Sequence, residues 1–232
     1  MYKFLYAKYK YYEESQEIAL LQNIINQGNT ALDIGANIGF YTKILSKAVG
    51  KQGHVLSFEP DIKNYNHLSN STSGLSNVKI HLKAVASKTQ KIVLYTSKEL
   101  NVDHRTYKPE IFDKEIEIEA VNLDEFLKEC QRVEVIKIDI QGFEMQAMLG
   151  MTNILVNNRN IRIFSEFWPY GLKMAGTSAL EYYEILVNLG FFIFVFNGKG
   201  LKPLNIQAVQ DMMLLDKKHY YNFFATRNVD EI

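Results

Sequence analysis

The sequence predicts an α/β fold built on a doubly wound, mostly parallel sheet. Three observations lead there. Short apolar runs alternate with amphipathic stretches along most of the chain, the pattern of parallel strands joined by right-handed crossovers. Several apolar runs end in an acid, as at Asp33, Glu59 and Asp139, and open sheets of this kind bind ligands beyond the carboxyl ends of their strands. Finally, residues 31–42, ALDIGANIGFYT, read as a strand, a tight loop bracketed by Gly35 and Gly39, and the start of a helix.

The elements follow in order. Within residues 13–27, Ile18, Leu21, Ile24 and Ile25 recur at helical spacing, and Gly28 is a C-cap. Residues 30–34 are the first strand, and 39–48 a helix ended by Gly50. Residues 55–59 are the second strand; Pro60 follows, and Asp61 caps the next helix. Residues 78–82 are the third strand. Residues 91–96 and 115–121 favour strand and form an inserted hairpin, the second run alternating strictly over 115–119. The polar segment between them, 97–113, has the length of a functional or mobile loop. Helices are predicted over 123–130, 144–149 and 178–189, and strands over 133–139, 161–167, 191–196 and 221–226. No Pro/Gly/Ser-rich linker or internal repeat interrupts this order. The simplest organisation is one domain over residues 29–232, preceded by a helical extension or lid over residues 1–28.

Composition bounds the function. The 232 residues are 47% hydrophobic and 22% charged, enough for a sizeable core. Lys+Arg and Asp+Glu balance at 26 each, so no global field favours nucleic acid. The single cysteine, Cys130, excludes an intramolecular disulfide and points to a reducing, cytoplasmic setting. No stretch reaches the ~18 apolar residues of a membrane span. The first twelve residues are aromatic and basic, and their lysines interrupt any signal-peptide core. They suit a membrane-surface or acceptor contact, a lid, or a solvated helix. The aromatic-rich termini suit a pocket wall, core or a homodimer face.

The glycine loop is not the dinucleotide pattern. Counting from Gly35, that pattern needs glycines where Asn37 and Phe40 stand. The pattern here is acid-x-Gly-x-x-x-Gly, and it resembles the loop that wraps the amino-acid end of S-adenosylmethionine (SAM). A Gly-rich turn in some other α/β protein is the bland alternative. Glu59 lies 26 positions after Asp33, close to the ~20-residue interval of an acid that binds ribose hydroxyls. A helix-capping or surface glutamate is its plainer reading. Ala84 and Val85, after Lys83, fall where an adenine would find apolar contact or where simple packing would place them.

Asp139 ends the fourth strand, beside the first in a doubly wound order. It suits orienting an acceptor hydroxyl, accepting its proton, or holding the SAM amino group; a structural acid is the alternative. Lys137 shares its side of the strand by the period of two. Glu144 suits a helix start. Glu166, among Phe167, Trp168 and Tyr170, sits where burial raises a carboxylate's pKa; a core-edge ion pair is equally compatible. His104 in the polar loop has the intrinsic pKa of a general base, although a lone loop histidine is more often solvated. His219 is a weaker candidate.

Taken together, Leu32 to Thr42, Phe58-Glu59-Pro60, Leu123-Asp124-Glu125-Phe126, Ile136 to Glu144 and Leu189-Gly190-Phe191 resemble the FkbM-type SAM-dependent methyltransferases. The resemblance implies a class I methyltransferase fold, Rossmann-like, with seven strands, the last antiparallel. It implies O-methylation of a small-molecule or sugar/glycan acceptor. It implies cofactor contacts at Asp33, Gly35, Ala36, Asn37, Gly39, Phe40, Tyr41, Thr42, Phe58, Glu59, Pro60, Ala84, Val85 and Asp139. The base is sought among Asp139, Glu166 and His104. One departure stands out: the family usually carries Glu where this chain has Gln141. No metal is expected, because the Asp-Asn pair of catechol-type enzymes is replaced by Ser165-Glu166-Phe167-Trp168. No nucleic-acid acceptor is expected, because Asp139-Ile140-Gln141-Gly142 replaces the Pro-Pro-aromatic stretch of amino-methylating DNA enzymes. The competing readings are a non-catalytic SAM-binding partner protein and a NAD-type oxidoreductase.

Overall fold

The computed structural model describes residues 9–97, 104–130 and 132–231. Residues 1–8 of the expected extension, and 98–103 of the polar loop, lie outside the described residues.

The chain lays down helix α1 (Ser15–Ile24), then β1 (Thr30–Ile34), α2 (Phe40–Val49), β2 (His54–Phe58), α3 (Ile62–Thr72) and β3 (Val78–His81). Next come β4 (Ala84–Val85), β5 (Gln90–Thr96) and β6 (Lys114–Val121), then α4 (Leu123–Phe126), β7 (Val135–Ile138), α5 (Glu144–Leu149) and α6 (Thr152–Asn157). The last third holds β8 (Arg162–Phe167), α7 (Pro169–Met174), α8 (Ala179–Asn188), β9 (Phe192–Phe196), β10 (Leu201–Pro203), α9 (Ile206–Met213) and β11 (Tyr221–Thr226).

The main sheet has the order β10-β9-β11-β8-β7-β1-β2-β3. It has eight strands, not the seven expected. The addition is β10, antiparallel to β9 at the edge. It is three residues long and ends in Pro203, which an edge strand tolerates because no ladder N–H is required there. Such a short run carries no alternation to read. The strand expected last, β11, is antiparallel to both neighbours. The inserted hairpin is β5–β6, paired from Gln90↔Ala120 to Thr96↔Lys114. It gains a third strand, since Ala84–Val85 pairs in parallel with β6.

Alternation splits the apolar residues of each central strand between two faces. Ala31 and Val135 pack with Ile18, Leu21, Leu45 and Val49 of α1 and α2. Leu32 and Ile136 pack with Met148, Leu155, Tyr182 and Leu186 of the opposite helices. At about 25 cal/mol per Å² of apolar area removed from water, these two layers supply the main driving force for the fold. Helix ends follow their caps: Asp61 accepts from the N–H groups of Lys63 and Asn64, each at 2.9 Å. The helix expected over 123–130 stops at Phe126. Helices α6, α7 and α9 were not anticipated, although Pro169 at the first turn of α7 is a recognised start signal.

Candidate active site

The β1–α2 loop depends on left-handed backbone. Gly35 and Gly39 have φ of 86° and 88°. A Cβ on Gly35 would lie 2.0 Å from the Asp139 carbonyl oxygen, so the loop presses directly on the residue ending β7. Asn37 takes φ 50°, which asparagine tolerates better than most residues. The loop is stitched to the end of β2: Gly35 and Ala36 donate N–H to the Phe58 carbonyl at 3.0 Å each, and Asn37 N–H donates to Glu59 Oε2 at 2.8 Å.

These contacts shape a cleft beyond the carboxyl ends of β1, β2 and β7, where open α/β sheets bind ligands. Its apolar wall comprises Phe58, Ala84, Val85, Leu94 and Phe143. Its polar wall includes Glu59, Asn64, His104, Thr106, Asp139 and Gln141. Gly35, Asn37 and Pro60 complete the expected residues that line it.

Glu59 is buried and accepts one backbone N–H on each oxygen, from Asn37 and from Asp61 at 2.9 Å. A carboxylate has about four acceptor positions, so each oxygen keeps capacity for a ligand hydroxyl. Burial pushes its pKa up to about 7, against the lowering effect of those two N–H groups. Thr106 Oγ1 is buried in the cleft wall with no hydrogen-bond partner among the described residues, the kind of group a ligand satisfies.

Six expected cofactor residues do not line this cleft. Asp33 is buried and accepts from Thr42 Oγ1 at 2.5 Å. Burial raises its pKa to about 6, opposed by that hydroxyl and by Lys137. The pair locks the first turn of α2 to β1. Tyr41 turns under the sheet and donates to Glu14 Oε2 at 2.6 Å. Phe40 packs edge-on against Tyr41, Ala36 is buried, and Gly39 presses on Leu68 and Ser71 of α3. The helical turn of ~100° per residue carries these side chains off the ligand face as soon as α2 begins.

The expected catalytic residues fall into two places. His104 Nδ1 accepts the Ser97 N–H at 3.2 Å, and its Nε2 lies 3.9 Å from Asp61 Oδ1. That puts it beyond β2, while Asp139 follows β7. Both line the cleft, but no hydrogen bond or ion pair between them is seen among the described residues. Asp139 and Glu166 do come together. Gln141, at φ 55°, donates its amide Nε2 to Asp139 Oδ1 at 3.2 Å and to Glu166 Oε2 at 3.1 Å. Burial and the neighbouring Asp139 charge hold the Glu166 pKa well above the carboxylate range. Burial also pushes Asp139 upward, but Lys10, Lys137 and the Gln141 amide outweigh it and its pKa falls below the usual value. Burial and neighbouring charge thus shift the two acids in opposite directions, Glu166 up and Asp139 down.

Two features were missed from sequence. Lys10 reaches back to Asp139 Oδ2 at 3.5 Å and to Glu14 Oε1 at 3.7 Å. Lys137 forms a fully buried ion pair with Glu17 of α1 at 3.6 Å. The Lys10–Asp139 and Glu17–Lys137 contacts each join residues more than a hundred positions apart, with no local signal. Glu144 is the loop's anchor: its Oε1 accepts from Ile140 and Gly142 N–H at 3.2 Å each, and burial raises its pKa to about 7. Among the described residues, no group of three or more His, Cys, Asp or Glu is arranged to hold a metal ion, and no helix is long and apolar enough to cross a membrane.

Solved structures share this architecture. A methyltransferase-described Streptococcus mutans protein, solved in complex with SAH, aligns at a TM-score of 0.53 and 12% identity over 90% of this chain and 94% of its own. Methyltransferase FkbM from Methylobacillus flagellatus aligns at 0.51 and 14% identity, over 85% of this chain and 43% of that one. The fold is that of a class I SAM-dependent methyltransferase. Residues 33–193 match the Methyltransferase FkbM domain, and the chain belongs to that family. Among characterised relatives, the hexuronic acid methyltransferase AglP of Haloferax volcanii is 24% identical over 144 residues, 61% of this chain and 58% of that protein. The match therefore spans less than two thirds of the Haloferax and Methylobacillus proteins.

Proposed function

We propose that this protein transfers a methyl group from SAM to a hydroxyl of a sugar acceptor. The observation that carries the reading is the Asp139–Gln141–Glu166 bridge, of which Asp139 and Gln141 line the same cleft as Glu59. SAM, when bound, supplies an electrophilic methyl on a sulfonium sulfur. Glu59 would accept from the ribose hydroxyls, and Phe58, Val85 and Leu94 would cover the adenine. Thr106 Oγ1 would find the partner it lacks.

On the acceptor side, Asp139 would orient the hydroxyl and accept its proton as the methyl's bond to sulfur gave way to the new O–C bond, leaving SAH. Gln141 fixes the rotamers of both acids through two donated bonds. Burial and the Asp139 charge both oppose a second negative charge on Glu166. Most of the rate then comes from alignment, which is worth up to ~7–11 kcal/mol when reacting groups are held in line. The name of the Haloferax relative supports a carbohydrate acceptor. The residue 10–139 contact supports reading residues 1–28 as a lid over residues 29–232. A lone cysteine supports a reducing, cytoplasmic location.

Calorimetry on cofactor-stripped protein with SAH, followed by label transfer from SAM to a fractionated glycan extract, tests this. Saturable SAH binding and labelled product are expected. Binding without turnover on any fraction would leave a non-catalytic SAM-binding protein. A melting temperature raised by a nicotinamide nucleotide and not by SAH would return the chain to the oxidoreductases.

A further inference from the structure

Residues 104–107 are extended chain in the cleft wall. His104 and Thr106 line the cleft, whereas Arg105 and Tyr107 line a second groove, the period-two alternation of extended chain. Paired backbone bonds between Arg105 and Tyr95, at 2.7 and 3.0 Å, pin the segment. Asp139 and Gln141 line the cleft as well, and Gln141 carries the polar wall on to Glu166. The row of polar side chains does not stop there.

Strand register extends it across the sheet. Ser165 of β8 is level with Ile138 of β7, so Glu166 is level with Asp139, the next residue of each run. On its other side Glu166 is paired directly with Asn222 of β11. Residues paired in this way share one face of a sheet. That face is marked by Phe164 and Phe224, two positions away on each strand. They pack with Ile18, Leu21 and Val135, their own ring centres 5.0 Å apart. Alternation brings Glu166 and Asn222 to the same face, one step beyond this aromatic layer.

Asn222 is an uncommon residue for its place. It lies on an interior strand, between β8 and β9, where asparagine is depleted. Its side chain is half-buried and makes no hydrogen bond among the described residues. Glu166 is only 8% exposed. Its Oε2 accepts from Gln141, and its Oε1 has no donor among the described residues. Two groups with unused hydrogen-bonding capacity therefore stand side by side, their Cβ atoms ~4.5–5.5 Å apart. Tyr220, just ahead of β11, is largely exposed. Partial burial of its phenol, then the neighbouring Glu166, Tyr9, Glu14 and Asp139, raise its pKa, which sets the ring near the same row.

We propose that Glu166 and Asn222 form the acceptor subsite, and that it takes two adjacent hydroxyls of a pyranose ring. The Asn222 amide offers a carbonyl acceptor and two N–H donors, and each hydroxyl both donates and accepts. One hydroxyl donates to Glu166 Oε1 and accepts from Asn222 Nδ2; its neighbour donates to Asn222 Oδ1. Recognition of this kind needs no charge on the acceptor, and an acceptor with a single hydroxyl leaves half of it unused. The assignment deepens the methyl-transfer reading and rests on it.

The test is NMR titration of SAH-saturated protein with the methyl glycosides of glucose, galactose and mannose and with the 3-deoxy counterpart of each. Removal of the 3-hydroxyl leaves no adjacent pair on the ring. We expect at least one glycoside to bind ~10-fold tighter than its 3-deoxy counterpart, the scale of hydrogen bonds lost with their protein partners left unpaired. Asn222→Val should erase that preference. Asn222→Thr, which has the same shape but keeps a hydroxyl, should retain part of it. Both residues suit a strand, and both variants should bind SAH as the wild type does. Equal binding of every glycoside and its counterpart overturns the proposal, as does binding of none of the six, or a preference that Asn222→Val leaves intact. Loss of SAH binding in both variants would make Asn222 a structural residue and overturn it equally. Should the wild type bind no SAH, the methyl-donor reading falls, and the same titrations on the free protein decide the subsite alone.

Discussion

The two walls of the site are built in opposite ways. On the β2 side, recognition uses backbone N–H groups and one buried acid from neighbouring stretches of chain. Asn37 and Glu59 are 22 positions apart, and Asp61 is two beyond Glu59. On the β7–β8 side, side chains arrive from segments far apart in sequence: Gln141 to Glu166 across 25 positions, and Lys10 to Asp139 across 129. The first wall is a compact strand–loop–helix device with little freedom to vary. The second is an assembly of loops, a short helix and the N-terminal segment, the kind of region where acceptor specificity can be set by substitution.

That contrast can be broken most sharply at Asp139. Asp139→Asn should lower kcat by about 10²–10⁴, the usual range for losing a proton acceptor, while calorimetric SAH affinity stays near wild type. A comparable loss of SAH binding would mean the two walls are not separate. Glu59→Ala should do the reverse, weakening SAH binding by about 10–100-fold, as expected for lost hydrogen bonds to a charged group, with turnover recovering at saturating SAM. Gln141→Glu should have a smaller effect. It replaces the shared donor with a third acid, so the acid limb of the pH–rate profile should move to higher pH by about one unit; an unmoved limb would deny the bridge its role.

The smallest effect concerns stability. Asp33, Glu59 and Glu144 hold their protons in the folded chain to about 6, 7 and 7, well above their ordinary values of 3.8 and 4.5. Between those values and neutrality the folded state binds more protons than the unfolded state, so stability falls as pH rises. Asp139 has a lowered pKa, and its contribution is lost only as pH falls below its ordinary value of 3.8. Thermal melts should therefore give a lower Tm at pH 7.5 than at pH 5.5, and Glu144→Gln should flatten the slope. A Tm that climbs over that interval would contradict the burial of these acids.

Much of the donor wall was legible in sequence because its signals are local. A glycine-bracketed turn, an acid at a strand end and a capping Asp61 each announce themselves within a few residues. Asp33 shows the limit: its strand-end position is legible, but its bond from Thr42, nine residues on, is not. On the acceptor side, Asp139 and Glu166 were both singled out, but their junction through Gln141 was not. Nothing in the spacing shows that an amide at φ 55° reaches across to β8. The buried Glu17–Lys137 pair was equally invisible, since each residue alone reads as a surface charge on a helix or a strand interruption.

The 104–107 segment has a consequence for how such proteins diversify. A tetrapeptide whose odd and even members serve different compartments acts as a shared partition. Inserting or deleting a single residue just ahead of it would hand each compartment the other's side chains, exchanging an imidazole and a small hydroxyl for a guanidinium and a phenol. A length change of two residues keeps each side chain in its own compartment, whereas a change of one moves all four across the partition.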